Sequence, residues 1–304
     1  MAVDTDTDVG YPSNVPGESV YVETNGVRLH TVQAGPNDGP LVVLLHGFPE
    51  FWYAWHDQIR PLANAGFRVV VPDQRGYNLS DKPSSVSAYR IDELAADVVG
   101  LIDATGREKA FVVGHDWGAA VGWWVALHHP GHVEKFCAVN VPHPSVFRRT
   151  LRRSWSQRLR SWYVAFFQLP VLPEATSRFH DWELIVRTMR ESSEPGTFSE
   201  VDFERYREAW SRPGAFTAMV NWYRAIVRNR PRPRRRRVRV PTLVIWGARD
   251  QFLKKSMARP SVNLCDDGRL AMLDASHWVQ HEEPVKVANL LLDFFSERGN
   301  HRAE

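Results

Sequence analysis

A short turn between a strand-like segment and a helix-like segment constrains this chain more than any other feature. The apolar run Ala110–Val113 leads directly into Gly114-His115-Asp116-Trp117-Gly118, and the following segment, Ala119–Val125, is typical of a helix. A nucleophile set between strand and helix, with small residues two positions away on either side, is the pattern of a nucleophile elbow. The sequence therefore predicts that Asp116 is a nucleophile at the end of a buried strand.

The nucleophile of this turn is a carboxylate, and that choice restricts the chemistry. A serine hydroxyl in the same position attacks acyl carbons, whereas a carboxylate is suited to displacing a leaving group from a saturated carbon. The product of that displacement is an alkyl ester on Asp116. We therefore expect a two-step reaction in which water hydrolyses the ester.

The composition is that of a globular protein with a large core. The chain has 304 residues, of which 43% are hydrophobic and 24% charged, enough for one core with an inserted subdomain. It contains no uncharged apolar run of about 18 residues, so we expect no membrane span and no membrane partner. The polar, acidic N-terminal segment has no apolar core of a secretory signal. With only Cys137 and Cys265, a reducing, cytoplasmic location is predicted.

Positive charge is concentrated in one short segment. The run from Arg228 to Arg239 contains eight arginines and no acidic residue, while the rest of the chain is net negative. No recognised nucleic-acid motif accompanies the run, so we interpret it as a solvated linker and expect no nucleic-acid partner. The scattered histidines show no metal-binding spacing, and neither a metal nor a cofactor is expected.

Strand-like runs alternate with helical patterns along most of the chain, which predicts a mostly parallel, doubly wound α/β sheet. The segment from about Pro142 to Arg239 breaks the alternation and is interpreted as an inserted helical cap. We expect residues 1–17 to form a flexible tail, 18–141 and 240–304 to form the core, and 142–239 to form the cap domain. The strand candidates are Ser19–Thr24, Val27–Val32, Leu41–Leu45, Phe67–Val71, Ala110–Val113, Val133–Val141, Pro241–Trp246 and Leu270–Leu273.

Two further side chains follow predicted strands and complete a catalytic set with Asp116. Asp250 comes after the Pro241–Trp246 strand, and His277 comes after the Leu270–Leu273 strand. The order nucleophile, acid, histidine is the chain order of α/β-hydrolases. We predict that neutral His277 activates the water that hydrolyses the ester, and that Asp250 orients His277 and stabilises its charged form.

A loop after the Leu41–Leu45 strand predicts an oxyanion hole. In this architecture a backbone N–H of that loop acts together with the N–H of the residue after the nucleophile. The two residues here are Phe48, in His46-Gly47-Phe48-Pro49, and Trp117. Their amides are expected to stabilise the tetrahedral intermediate that forms when water attacks the ester.

Several motifs together resemble those of α/β-hydrolase-fold epoxide hydrolases of the soluble type. The motifs are His46-Gly47-Phe48-Pro49-Glu50, Arg75-Gly76-Tyr77 with Ser80-Asp81-Lys82-Pro83, Gly114-His115-Asp116-Trp117-Gly118, Ala248-Arg249-Asp250 and His277-Trp278. The resemblance extends from about residue 18 to 297. It implies a cofactor-free conversion of a small apolar epoxide and water to a vicinal diol.

The resemblance also implies that two cap tyrosines hold and protonate the epoxide oxygen. Ser161-Trp162-Tyr163 matches the first position and Asn221-Trp222-Tyr223 the second, so these roles are carried to Tyr163 and Tyr223. A phenol of pKa near 10 donates a proton without being charged in the resting enzyme. Other aromatic residues either line an apolar pocket or pack the cap; the pocket candidates are Phe51, Trp52, Phe166, Phe167 and Trp222.

Two alternative functions use the same sequence features. Haloalkane dehalogenases share the aspartate nucleophile and the following tryptophan, and hold the halide between that tryptophan and a second N–H donor. That donor is often an asparagine after His-Gly, where this chain has Phe48. A catalytically inactive binding protein of the same fold would have lost a triad member, and all three are present here.

Overall fold

The computed structural model describes residues 15–233 and 235–297. Most of the predicted N-terminal tail, residues 1–14, and one arginine of the basic run, Arg234, lie outside the described residues. Among the described residues, no helix is both long and apolar enough to cross a membrane.

A single eight-stranded sheet forms the centre of the molecule, in the order β1-β2-β4-β3-β5-β6-β7-β8. β2 pairs antiparallel with β1 and β4, and all other neighbours are parallel. The mostly parallel α/β sheet predicted from the sequence is therefore confirmed. The strands are β1 (Glu18–Thr24), β2 (Val27–Ala34), β3 (Leu41–Leu45), β4 (Arg68–Pro72), β5 (Ala110–His115), β6 (Val133–Val139), β7 (Thr242–Gly247) and β8 (Gly268–Leu273).

Local sequence explains the ends of several strands. Asn25 and Gly26, between β1 and β2, both have positive φ (43° and 72°), as a two-residue hairpin turn requires. The predicted strand from Val133 ends two residues early, at Val139, because Asn140 adopts φ 58° and leaves the extended conformation. Every residue of β3 is buried, as expected for a strand covered on both faces.

Thirteen α-helices lie within the described residues. α1 packs against α13 and α2 packs against α3, so these pairs cover the central strands. The sequence analysis did not predict α1, which contains Pro61 and few apolar residues. The helices are α1 (His56–Asn64), α2 (Ile91–Ala104), α3 (Trp117–His128), α4 (Pro144–Arg153), α5 (Trp155–Arg160), α6 (Trp162–Phe166), α7 (Leu172–Arg178), α8 (Glu183–Ser192), α9 (Glu200–Ser211), α10 (Ala215–Asn229), α11 (Ala258–Val262), α12 (Val279–Glu282) and α13 (Pro284–Ser296).

Seven helices, α4 to α10, lie between strands β6 and β7, where the sequence breaks the strand–helix alternation. They are called the inserted helices below. They contact the core near the ends of β3 and β7: Trp210 Nε1 donates to the Pro49 carbonyl at 2.5 Å, and Gln157 Nε2 donates to the Phe252 carbonyl at 2.7 Å. This arrangement brings side chains of the inserted helices to the carboxyl edge of the sheet, where open α/β sheets hold their sites.

Candidate active site

Asp116 occupies a sharp turn between β5 and α3. Its backbone has φ 48° and ψ −121°, a strained conformation for a residue other than glycine. The turn is tight on both sides of Asp116. A Cβ on Gly114 would overlap the backbone of Gly118, and one on Gly118 would overlap the carbonyl of Leu45. Small residues are therefore required at both positions, as the motif predicts.

One backbone amide contacts the Asp116 carboxylate, and a second follows Asp116 directly in the chain. The Phe48 N–H donates to Asp116 Oδ1 at 2.9 Å, from the loop that follows β3. Trp117 is the first residue of α3, and the N–H groups of a helix's first turn have no carbonyl partner within the helix. The helix N-terminus also favours negative charge at this position. These are the two amides that the sequence analysis selects for the oxyanion hole.

His277 lies between two carboxylates. Its Nδ1 is 2.8 Å from Asp250 Oδ2, and its Nε2 is 3.6 Å from Asp116 Oδ2. A carboxylate accepts only, so Nδ1–H donates to Asp250, and Nε2 faces Asp116. The structure therefore brings together the three residues that the sequence analysis selected from three different strand ends.

The contacts between His277 and the two carboxylates also shift the pKa values of His277 and Asp116. Burial alone would lower the pKa of His277, but the charges of Asp250 and Asp116 and the contacts with both raise it to about 10. Burial alone would raise the pKa of Asp116, but the facing imidazole and the Phe48 N–H hold it below its ordinary value. The resting site therefore holds an imidazolium opposite a carboxylate.

Asp250 is held by four donors. The Phe252 and Leu253 N–H groups donate to its Oδ1 at 2.7 and 2.8 Å, which fixes the plane of the carboxylate. Asn140 Nδ2 donates to Oδ2 at 3.1 Å, beside the bond from His277. An amide carries no charge, so Asn140 cannot itself be the triad acid. The structure shows that its side chain instead contacts the acid.

Two phenols from the inserted helices lie above the nucleophile. Tyr163 on α6 and Tyr223 on α10 meet edge to face, with ring centroids 5.9 Å apart. Burial and the negative charge of Asp116 raise the pKa of both hydroxyls above its ordinary value, and Asp250 adds to the effect on Tyr163. Both phenols therefore keep their protons at neutral pH, close enough to Asp116 to respond to its charge.

Aromatic rings enclose the space around these phenols. Phe167 contacts Phe48 and Tyr223 at centroid distances of 5.4 and 4.8 Å, and Trp222 contacts Trp117 at 5.6 Å. Two further rings that the sequence analysis did not select also contact the group. Phe252 lies 5.1 Å from His277, and Phe216 lies 6.1 Å from Phe48. The surroundings of Asp116 are thus apolar.

The other pocket candidates from the sequence lie further out. Phe51 and Trp52 contact each other and Tyr53, and Phe51 also contacts Tyr206. Within the described residues, the structure does not bring either ring to those around Asp116. Phe166 is half-buried and reaches the group only through Phe167, at 5.9 Å. Of the five candidates, Phe167 and Trp222 contact the rings beside the nucleophile.

A buried charged cluster behind the triad has no counterpart in the sequence analysis. Glu50 is fully buried; its Oε1 accepts from Tyr206 at 2.8 Å and from His281 at 2.6 Å, and its Oε2 accepts from Gln280 at 3.2 Å. Although burial opposes it, His281 and His115 hold the pKa of Glu50 well below its ordinary value. Glu50 stands in the His46–Glu50 motif, but no sequence signal pairs it with residues 156 and 231 positions away.

This cluster reaches the triad through His115. His115 Nε2 donates to the backbone carbonyl of His277 at 2.9 Å, and its Nδ1 faces Gln280 Nε2 at 3.2 Å. His115 is therefore a hydrogen-bonding support. The described part of the chain contains no group of three or more His, Cys, Asp or Glu side chains that could hold a metal ion.

Comparisons with known proteins find similarity over most of the chain. The family model for the alpha/beta hydrolase fold matches residues 40–284. The AB hydrolase superfamily protein YfhM of Bacillus subtilis is 48% identical over 275 residues, which cover 90% of this chain and 96% of that protein. Epoxide hydrolase 1 of Caenorhabditis elegans is 39% identical over 286 residues, covering 92% of this chain and 70% of that protein.

Solved structures show the same similarity in three dimensions. The crystal structure of an epoxide hydrolase of Bacillus megaterium in complex with an inhibitor superimposes with a TM-score of 0.83 at 31% sequence identity. The match covers 91% of this chain and 100% of that chain, so it includes the inserted helices as well as the sheet.

Proposed function

Since this chain belongs to the α/β-hydrolase family and is similar in sequence and fold to epoxide hydrolases, we propose that it converts epoxides to vicinal diols through an alkyl ester on Asp116. One observation carries the proposal: two neutral phenols, Tyr163 and Tyr223, lie above a carboxylate nucleophile that faces a histidine. A strained ether needs both a nucleophile and a proton donor, and the side chains of this site supply both.

In the first step, Asp116 Oδ2 attacks a ring carbon of the epoxide. The Phe48 N–H holds Oδ1, which leaves Oδ2 to form the new carbon–oxygen bond. The ring bond breaks, its electron pair goes to the epoxide oxygen, and that oxygen takes a proton from Tyr163 or Tyr223. In the resting site the negative charge of Asp116 raises the pKa of both phenols. During ring opening this charge moves to the epoxide oxygen, which favours proton transfer from a phenol to that oxygen.

Formation of the ester also converts His277 into a base. The esterified Asp116 has lost one of the two carboxylate charges that raise the pKa of His277. Its pKa therefore falls, and the proton of the imidazolium passes to the phenolate that the first step leaves. Neutral His277 then faces the ester through Nε2, while Asp250 still accepts from Nδ1.

In the second step, His277 Nε2 takes a proton from water as the water oxygen attacks the ester carbonyl. The oxyanion that develops on Oδ1 lies against the Phe48 N–H and the N-terminal amide of α3 at Trp117. When the intermediate collapses, the imidazolium protonates the departing alkoxide and the diol is released. The proton left on the Asp116 carboxyl returns to His277, which restores the resting pair.

The inserted helices act in this scheme as a cap, residues 142–239, over the carboxyl edge of the sheet. They supply Tyr163, Tyr223, Phe167 and Trp222, which exclude bulk water from the ring-opening step. An apolar epoxide of modest size is the substrate class that this lining favours.

Nearby N–H groups argue against haloalkane dehalogenation. The indole N–H of Trp222 donates to the Arg75 carbonyl at 3.0 Å and is therefore engaged with the protein. The second N–H donor that a departing halide needs is often an asparagine side chain after His-Gly, and this chain has Phe48 at that position.

The test is diol formation by the purified protein on styrene oxide and on a long-chain fatty epoxide, with halide release from haloalkanes measured in parallel. We expect diol without halide, and no diol from the Asp116→Ala variant. Halide release without diol would replace the proposal with the dehalogenase. A fully active Asp116→Ala protein would refute the covalent mechanism.

A further inference from the structure

Helices α5 and α6 turn their apolar stripe away from the protein. Trp155, Leu159 and Trp162 recur at i, i+4 and i+7 spacing, yet they are 74%, 70% and 65% exposed. Between them, the polar Gln157 is buried and donates to the carbonyl of Phe252 in the core. An amphipathic surface helix normally buries its apolar stripe, so this orientation is the reverse of the usual one.

The loop after α6 extends the same surface. Leu169, Val171 and Leu172 are all exposed, with Val171 at 73%. Half-buried Phe166 joins the two parts, because its ring lies 6.0 Å from that of Trp162 and its carbonyl accepts from the Leu169 N–H. We call these six exposed residues the outer apolar face: Trp155, Leu159, Trp162, Leu169, Val171 and Leu172. Single exposed apolar residues are ordinary, but a connected group marks an interaction site.

Positive charge is concentrated in the segment that carries this face. The segment from Pro144 to Pro173 contains six arginines and no acidic residue: Arg148, Arg149, Arg152, Arg153, Arg158 and Arg160. None of the six forms an ion pair with a carboxylate in the described part of the chain. The Arg158 guanidinium lies 4.9 Å from the centre of the Trp155 ring, so charge and aromatic surface are interleaved.

The second basic segment of the chain begins close to the same face. Arg224 on α10 donates to the carbonyl of Leu169 at 2.8 Å. Arg228, the first arginine of the basic run, is four residues later and therefore on the same side of α10, one turn further along. The run interpreted from sequence as a solvated linker thus starts beside the outer apolar face.

We propose that the outer apolar face and its arginines are a docking surface for an anionic lipid membrane. Segments that lie in the interface of a bilayer typically combine exposed tryptophan and leucine with flanking arginines. Anionic lipid also attracts arginines that have no carboxylate partner. This departs from the sequence expectation of no membrane partner, because the direction in which the stripe points becomes visible only in the fold.

Charge decides between lipid and the other occupants of such a face. In a symmetric dimer the same patch meets itself, which would bring the six arginines of one copy against the six of the other. A nucleic acid would satisfy the charge, but Leu159, Val171 and Leu172 have no ring on which a base could stack. A bilayer satisfies both the charge and the aliphatic surface.

Docking would set the candidate active site at the lipid surface. Helix α6 carries Trp162 outward and, at the next residue, Tyr163 toward the nucleophile. An apolar epoxide dissolved in the bilayer would then reach the cap without crossing water. This consequence rests on the proposed function, whereas binding to the membrane does not.

The test is co-sedimentation of the full chain with phosphatidylcholine vesicles that do or do not contain phosphatidylglycerol. We expect binding only to the anionic vesicles, weakened by added salt because counterions screen exposed charges. Trp155→Ser with Leu159→Ser should lower binding about tenfold or more, and so should Arg152→Gln with Arg153→Gln. Neither double variant should change turnover of styrene oxide in the absence of lipid.

Control variants remove an apolar side chain or two positive charges from other surfaces. Val285→Ser removes an exposed apolar residue on α13 that is 70% exposed, and Lys109→Gln with Lys286→Gln removes two exposed positive charges. These controls should bind as the wild type does, and thermal unfolding followed by circular dichroism checks that every variant is folded. Equal binding to both kinds of vesicle, or an equal loss in the controls, would overturn the proposal.

Two other results would also overturn the lipid assignment. Without vesicle binding, a dimer in light scattering that Trp155→Ser with Leu159→Ser dissociates would assign the face to a second copy. Salt-sensitive binding to duplex DNA, again without vesicle binding, would assign it to nucleic acid. Failure of epoxide hydrolysis alone would leave the membrane proposal standing, because sedimentation does not depend on turnover.

Discussion

The side-chain amide of Asn140 donates to Asp250 Oδ2, the same carboxylate oxygen that accepts the imidazole N–H of His277. Asn140 also donates to the Ser276 carbonyl, and its own oxygen accepts from the Gly247 N–H. One buried amide therefore links the end of β6 to the end of β7 and to the loop that carries His277. This makes Asn140 a positioning residue for the acid and the base together.

Asn140→Ala is expected to slow hydrolysis of the ester about ten- to a hundredfold, because a hydrogen bond to a charged group contributes roughly 1.5–3 kcal/mol. The ring-opening step should change less, since it needs neither Asp250 nor neutral His277. Single-turnover kinetics with mass spectrometry of the protein separates the two steps. Asn229→Ala, which removes an amide that donates to the Ala225 carbonyl at the end of α10, is the control. Equal slowing of both steps would contradict a positioning role.

Replacement of His277 by glutamine should trap the alkyl ester. The first step uses Asp116 and the phenols, so it proceeds, whereas no base then activates water. Intact-protein mass spectrometry should show His277→Gln gaining the mass of one epoxide, and a peptide containing Asp116 should carry it. The double variant with Asp116→Ala should gain no mass. Modification of another residue would move the nucleophile elsewhere.

Tyr163→Phe and Tyr223→Phe should each slow ring opening about tenfold or more, because each removes a hydrogen bond to an oxygen that becomes charged. The double variant should be slower than either single variant, since one phenol partly replaces the other. The burst phase of alkylation, followed by quenched mass spectrometry, measures this step. Tyr21→Phe, on β1, is the control. Unchanged burst rates in both single variants would remove the phenols from the mechanism.

The charge of Asp116 should be visible in the titration of His277. Burial lowers the pKa of His277, and Asp250 and Asp116 together raise it to about 10. Asp116→Asn removes one of the two charges, so the pKa of His277 should fall, as we propose it does in the ester. Nuclear magnetic resonance of the labelled imidazole measures it directly. An unchanged pKa would mean that Asp250 alone controls the base.

The same shift has a consequence for stability. The pKa of His277 is higher in the folded protein, about 10, than its unfolded value of 6.5. The protonated His277 therefore contributes its full stabilisation below pH 6.5, and this contribution is lost as the pH rises to about 10. The free energy of unfolding of the wild type should therefore fall relative to that of Asp116→Asn between pH 7 and pH 10.

Sequence predicts the sheet and the triad because both depend on local patterns. Asp116, Asp250 and His277 each follow a strand-like run, and the carboxyl ends of parallel strands meet at one edge. The bonds around Asn140 were not predictable in this way. An asparagine at a strand end is common in turns, and only the fold shows that Asp250 is its partner.

Side-chain direction is the other property that sequence does not determine. Phe51 and Trp52 are aromatic and close to the oxyanion loop, yet they contact Tyr53 and not the rings beside the nucleophile. The stripe that includes Trp155 has the spacing of a buried helix face and is exposed. In both cases tertiary contacts orient the helix or turn and so determine where its side chains point. Residue type alone does not predict these contacts.

The hydrogen bond from Tyr206 to Glu50 should be an important link between the inserted helices and the core. It joins α9 to the loop after β3 at 2.8 Å, and both groups are fully buried. Tyr206→Phe is expected to lower the free energy of unfolding by about 1–3 kcal/mol, because it removes a donor from a buried carboxylate. Tyr53→Phe is the matched control: its hydroxyl donates to Asp202, also on α9, at 2.8 Å. Each carboxylate keeps two other donors, but Asp202 is partly solvated whereas Glu50 is fully buried, so the loss should be smaller. Urea unfolding followed by circular dichroism measures both variants, and equal losses would show that burial of Glu50 adds nothing to this contact.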